Sequence, residues 1–126
     1  MADRSAEPTY TDAETVAWLA ANLPRWTLDH GRIERTYRTS GWKGTMMAVN
    51  AIGHLAEAAW HHPDIALSYA AVEVRLCTHS ANGITDKDFS LARKIESVLQ
   101  WQPGREDGGL EGTPTNDPRL AYIVYD

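Results

Sequence analysis

Two short stretches of alternating side chains, residues 26–39 and 65–78, do most to restrict the fold. In the first, Trp26-Thr27-Leu28 is β-prone and Asp29-His30-Gly31 reads as a turn, with Gly31 free to take positive φ. Ile33, Arg35, Tyr37 and Thr39 then alternate with Arg32, Glu34, Thr36 and Arg38, giving one mixed face and one strongly charged face. In the second, Ile65, Leu67 and Tyr69 alternate first, and Val72, Val74 and Leu76 share a face opposite Glu73, Arg75 and Cys77. That stretch reads as two strands or one bent strand. Neither stretch has room for the crossover of about a dozen residues that parallel neighbours need.

Helical patterns surround these strands. Thr11-Asp12-Ala13-Glu14 reads as a capping box, followed by Val16, Leu19, Ala20 and Leu23 at helical spacing and stopped by Pro24. From about Trp42 to Trp60, Met46, Val49, Ile52, Gly53, Ala56 and Ala59/Trp60 recur every three or four residues. The Met46-Met47 pair reads as core, and Gly53 within this helix suggests a close approach by a neighbour. Pro63 ends it, because a proline pushes the preceding residue out of the α region. Thr85 reads as an N-cap with Asp88 at the third position, ahead of an apolar stripe of Leu91, Ala92, Ile95, Val98 and Leu99. The order α-β-β-α-β-β-α therefore predicts an α+β fold with a mostly antiparallel sheet. Residues 1–10 read as a flexible lead-in, 11–99 as the domain and 100–126 as an extension. Within the extension, 102–118 is a loop rich in Gly, Pro, Asp and Glu, and Leu120–Tyr125 is β-prone, a possible strand for an edge of this chain or of a partner.

A chain of 126 residues, 43% apolar and 23% charged, can build one core. Its formal net charge of −5 argues against direct nucleic-acid binding through phosphates, though not against assisting another DNA-binding protein. The single Cys77 excludes an intrachain disulfide and fits a reducing compartment. No apolar stretch is long enough for a membrane span, and Met1 to Thr9 lacks the apolar segment of a signal peptide, so the expected location is cytoplasmic.

The chemistry concentrates in Glu57-Ala58-Ala59-Trp60-His61-His62-Pro63, Tyr69, Thr78-His79 and Asp88. Glu57 and His61 are four apart, which on one helix puts them on a shared face. His61 and His62 fall where the helix must stop, and His79 ends a strand that can approach them. Imidazoles fixed by carboxylates suit proton transfer near neutral pH. A dehydration needs one group to protonate the departing hydroxyl and another to take a proton from the neighbouring atom, with no nucleophile, metal or redox cofactor. Set against this, a histidine pair at a helix end also serves as a polar cap, and Glu57 and Asp88 as helix-surface and helix N-terminal acids. His54 and His61, seven apart, form the start of a zinc site, but Cys77 is the sole thiol and no third ligand stands out. Cys77 reads as a packed side chain rather than a nucleophile.

Taken together, Glu57, His61, His62, Pro63, Tyr69, His79 and Asp88 resemble the pattern of the pterin-4a-carbinolamine dehydratase family. Ala56-Glu57, Thr78-His79, Gly83-Ile84-Thr85 and Leu91-Ala92 add to it, and the resemblance covers roughly residues 11–99. It implies a four-stranded antiparallel sheet with three helices on one face, in dimers or tetramers. It implies a lyase that dehydrates 4a-hydroxytetrahydropterin to quinonoid dihydropterin, in the recycling of tetrahydrobiopterin. His61 and His79 would be general acid and base, His62 would hold the pterin, Glu57 and Asp88 would orient the imidazoles, and Pro63 would set the bend. Thr78 belongs to the same substrate-orienting set, and no cofactor is implied. Relatives that resemble dimerisation cofactors of transcription factors or Rubisco assembly factors of carboxysomes offer a non-catalytic alternative, with the 100–126 extension as the arm for a protein partner.

Overall fold

A computed structural model describes residues 7–126. The elements run α1 (Asp12–Asn22), β1 (Thr27–Asp29), β2 (Arg32–Arg38), α2 (Trp42–Ala59), β3 (Asp64–Ser68), β4 (Ala71–Leu76) and α3 (Asp86–Leu99). Short 3₁₀ turns occupy His79–Ala81, Pro103–Arg105 and Pro118–Leu120. The four strands form one antiparallel sheet in the order β1-β2-β4-β3, so the fold is α+β as expected. The β1–β2 turn places His30 (φ 49°) and Gly31 (φ 75°) in the left-handed region, whose backbone twist suits a two-residue hairpin. Residues 65–78 resolve into two strands, β3 and β4, joined at Tyr69-Ala70.

Register assigns the two faces. Ile33, Arg35 and Tyr37 of β2 stand opposite Leu76, Val74 and Val72 of β4, all six buried. The alternate residues pair Glu34 with Arg75 and Thr36 with Glu73 on the polar face. The expected capping box forms at α1, where the Thr11 hydroxyl accepts from the Glu14 amide and Glu14 accepts from the Thr11 amide, and the expected N-cap Thr85 makes a second one with Asp88 at α3.

The helical stripes are rotated from some expectations. On α1 the buried residues are Thr15 and Leu19, with Leu23 following, and Val16 is exposed. On α2 the buried face is Gly44, Thr45, Ala48, Ile52 and Ala56, whereas Met47 is exposed rather than core. Gly53 is not a contact point, since a Cβ there would meet nothing within 4 Å. The tight glycine is Gly44, where a Cβ would lie 2.3 Å from the Tyr122 carbonyl oxygen. Val98 on α3 is also exposed.

The core face carries one charge, Arg35, with its side chain 6% exposed. Glu96 of α3 accepts from its guanidinium, and Asp126 Oδ1 accepts from its Nη2 at 2.8 Å. Glu96 Oε1 also accepts from the Tyr37 hydroxyl (2.6 Å) and the Trp26 indole (3.2 Å). A buried cation needs such full pairing, because removing one partner leaves an uncompensated charge. Burial, and then the bond to Glu96, push the Tyr37 phenol well above its ordinary value.

The β-prone end of the chain makes one bridge, Thr39 with Ile123, and not a strand. β1 is paired no further than Glu34, so the edge of β2 is open beyond it, and the Val124 amide donates to Arg38 O at 2.8 Å. The pairing stops because the next groups turn to α3: the Asp126 amide donates to Gln100 Oε1 (2.9 Å) and Gln100 Nε2 donates to Val124 O (3.2 Å). At the other end, the Tyr10 amide donates to Ile84 O at 2.8 Å. Residues 1–6 of the expected lead-in lie outside the described residues. Among the described residues, no helix is long and apolar enough to cross a membrane.

Gly53→Ala should raise stability by about 0.5–1 kcal/mol, since it adds helix propensity without a clash. Gly44→Ala should lower it, and urea unfolding of both variants measures the contrast. Because the Tyr37 phenol is raised on folding, its contribution is full below the unfolded tyrosine value of about 10 and fades as the pH climbs above it. Tyr37→Phe should flatten the alkaline fall in melting temperature between about pH 10 and 11.5.

Candidate active site

Helix α2 stops at Ala59, and Trp60 takes the left-handed conformation (φ 52°, ψ 45°). The Trp60 amide donates to Ala56 O and Glu57 O, and the His61 amide donates to Ala56 O at 3.1 Å, which satisfies the last helical carbonyls. This reversal carries His61 and His62 off the helix before Pro63 leads into β3. The expected Glu57–His61 alignment is therefore replaced by a different one. Glu57 Oε2 lies 2.6 Å from His62 Nε2, and His61 Nε2 lies 2.6 Å from Oδ1 of Asp88, on α3.

Asp88 is fully buried. Its Oδ2 accepts from the Thr85 amide at 2.9 Å and from the Thr78 hydroxyl at 2.7 Å, and Thr78 and Thr85 Oγ1 are 2.7 Å apart. A carboxylate only accepts, so His61 must donate its Nε2–H to Asp88, which leaves Nδ1 as the nitrogen open to a ligand. The same logic leaves Nδ1 of His62 open. His61 is partly buried and His62 and His79 are exposed, so all three imidazoles can be reached from solvent.

His79 begins the 3₁₀ turn after β4. Its ring makes no hydrogen bond to His61 or His62; both ring nitrogens lie 3.9 Å from Cys77 Sγ. The link to the pair runs through its neighbour Thr78, which is bonded to Asp88, which is bonded to His61. Burial, with the charges of Asp88 and Asp64, pushes the Cys77 thiol up, which keeps it a poor nucleophile. Tyr69 packs over Gly41, whose added Cβ would meet its hydroxyl at 3.2 Å. Among the described residues, no three His, Cys, Asp or Glu side chains are grouped to hold a metal.

Two participants escaped the sequence reading of the site. Thr85, expected only as a helix cap, grips the catalytic-candidate carboxylate through its amide, and the capping box was the available signal. Trp60 stands 77% exposed with its ring edge-on to His62, centroids 5.1 Å apart at 80°. Nothing in the local pattern marks it beyond its place before the histidines. A hollow of about 610 Å³ lies elsewhere, bounded by the 100–126 segment around Arg105, Glu111, Pro118 and Ile123.

A family model described as pterin 4 alpha carbinolamine dehydratase matches residues 8–98. An Aquifex aeolicus protein provisionally named pterin-4-alpha-carbinolamine dehydratase is 44% identical over 79 residues, 63% of this chain and 80% of that one. A Chloroflexus aurantiacus protein of the same provisional name is 40% identical over 92 residues, 73% of this chain and 98% of that one. The crystal structure of a transcriptional coactivator/pterin dehydratase from Brucella melitensis superimposes with a TM-score of 0.66 at 29% identity, over 72% of this chain and 98% of that one.

Asp88→Asn should test the histidine geometry independently of any activity. If the amide oxygen keeps the Thr85 and Thr78 bonds, its NH₂ faces His61 and forces the ring to accept at Nε2. The expected result is a His61 tautomer switch in ¹⁵N NMR, with a stability loss of about 1–3 kcal/mol. An unchanged tautomer would show that Asp88 does not set it.

Proposed function

The chain belongs to the pterin 4 alpha carbinolamine dehydratase family, and from that premise we propose that it removes water from 4a-hydroxytetrahydropterin to give quinonoid dihydropterin. The product is the oxidised form from which the cofactor of aromatic amino-acid hydroxylases is regenerated. In this step the C4a–O bond breaks with its electron pair on oxygen. One proton is delivered to the departing hydroxyl, one is removed from N5, and the C4a–N5 double bond forms.

His61 and His79 share the acid and base roles. His62 holds the pterin, Glu57 and Asp88 orient the imidazoles, Thr78 positions Asp88 and Pro63 fixes the bend that presents the pair. The observation that carries this reading is the buried Asp88 carboxylate. It anchors His61 through Nε2 and, through Thr78, ties down the strand end that bears His79. General acid–base catalysis by a side chain so anchored requires no group beyond these residues. Self-association as a dimer or tetramer belongs to the same reading. The non-catalytic alternative uses the 100–126 extension as a partner arm; Ile123 and Asp126 of that extension are engaged within this chain, whereas Leu110 and Leu120 are exposed.

The test is the lifetime of a 4a-hydroxytetrahydropterin generated in solution. The protein should shorten it, and His79→Ala should cut the rate by about 10²–10⁴. A lifetime unaffected by the wild-type protein would remove the activity, while a fully active His79→Ala would remove only that residue's role.

A further inference from the structure

Trp60 occupies a position that the fold alone does not favour for it. It is the last-turn cap of α2, a left-handed residue with φ 52°. Positive φ suits glycine, and among other residues asparagine or aspartate, and is an outlier for a bulky side chain. The indole gains little from burial in exchange, since Trp60 is 77% exposed. A strained backbone under an exposed aromatic ring beside a candidate site points to a role in that site.

The ring is not pointed at random. It meets the His62 imidazole edge-on, with centroids 5.1 Å apart and planes at 80°. His62 is also bonded through Nε2 to Glu57, and its imidazole forms a near right-angled corner with the indole. A flat ligand stacked on the indole would stand at nearly right angles to the imidazole plane. With Nε2 engaged by Glu57, Nδ1 is the His62 nitrogen available to such a ligand.

We propose that Trp60 is a substrate-contacting specificity residue, a stacking wall for the flat amide–guanidine part of the pterin's pyrimidine ring. The proposal rests on the dehydratase reading above and adds the surface that selects a flat heterocycle. Every heterocyclic face can stack on an aromatic side chain, so the wall selects for planarity, and His62 contributes the polar edge contact.

Trp60→Asn tests this, because asparagine tolerates the left-handed conformation while removing the ring. The variant should melt at or above the wild-type temperature. Its KM for 4a-hydroxytetrahydropterin should rise by about 5- to 100-fold, the range one base–aromatic stack supplies, with a far smaller change in kcat. Trp60→Phe should recover part of that loss. The quenching of tryptophan emission by added 7,8-dihydrobiopterin should shrink in Trp60→Asn. A wild-type KM in Trp60→Asn would overturn the proposal, as would an effect confined to melting temperature or to oligomeric state by sedimentation. A wild-type protein that neither binds dihydrobiopterin nor shortens the carbinolamine lifetime would instead sink the dehydratase reading itself.

Discussion

The site depends on one buried carboxylate. Asp88 closes the N-terminal capping box of α3, receives the Thr78 hydroxyl from the end of β4, and anchors His61 from beyond the end of α2. Three elements distant in sequence thus meet on two oxygen atoms. A buried carboxylate without such donors would be costly, and with them it becomes a geometric reference point. The helix ends are matched to it. The N-terminus of α3 carries partial positive charge toward the carboxylate, and the C-terminus of α2 carries partial negative charge toward the imidazoles.

A second, partly buried polar cluster works the far end of the same core. Arg35 enters the inner face of β2 among Ile33, Tyr37 and Val74, and is tolerated because Glu96 and Asp126 both receive it. Glu96 also collects the Tyr37 hydroxyl and the Trp26 indole, so one α3 side chain ties β2 and the residue before β1 to the helix. Helix α3 is therefore fixed at both ends by acids, Asp88 at its start and Glu96 near its finish. Asp126 ties the last residues back to the sheet: it supplies a second acceptor to a guanidinium already committed to the interior.

The fold was legible where local chemistry decides it. The two capping boxes, the His30-Gly31 turn and the alternation of β2 and β4 follow from side chains a few residues apart. What escaped was rotation about the helix axes. Val16 and Val98 fit a helical period as well as their neighbours do, Met47 adjoins one, and only the direction of the sheet decides which side is covered. Gly53 and Gly44 show the same limit, since a glycine in a helix suggests a close neighbour but not which glycine has one; Gly44 faces a carbonyl 78 positions away in the chain. Arg35 reads as a mixed-face residue until its partners arrive from 61 and 91 positions on. At the candidate site, the motif named the residues to examine, but the pairing of acids with imidazoles depended on a backbone reversal at Trp60 that spacing does not encode.

That reversal has a chemical consequence. Had α2 continued as a helix, Glu57 would face His61 and His62 would turn about 100° away from it. With the helix ended at Trp60, each imidazole acquires an acid from a different helix, and the two acids differ in character. Asp88 is buried and immobilised by Thr78 and Thr85, so His61 is held in one orientation and one tautomer. Glu57 is exposed, and a hydrogen bond in water holds its partner only weakly. A proton-transfer group benefits from the first arrangement, because its nitrogen must stay in line with the bond that breaks. A group that grips a ligand benefits from the second, because it must adjust to each ring that enters. The proposed division of labour between two adjacent histidines thus has a physical basis in where the helix stops.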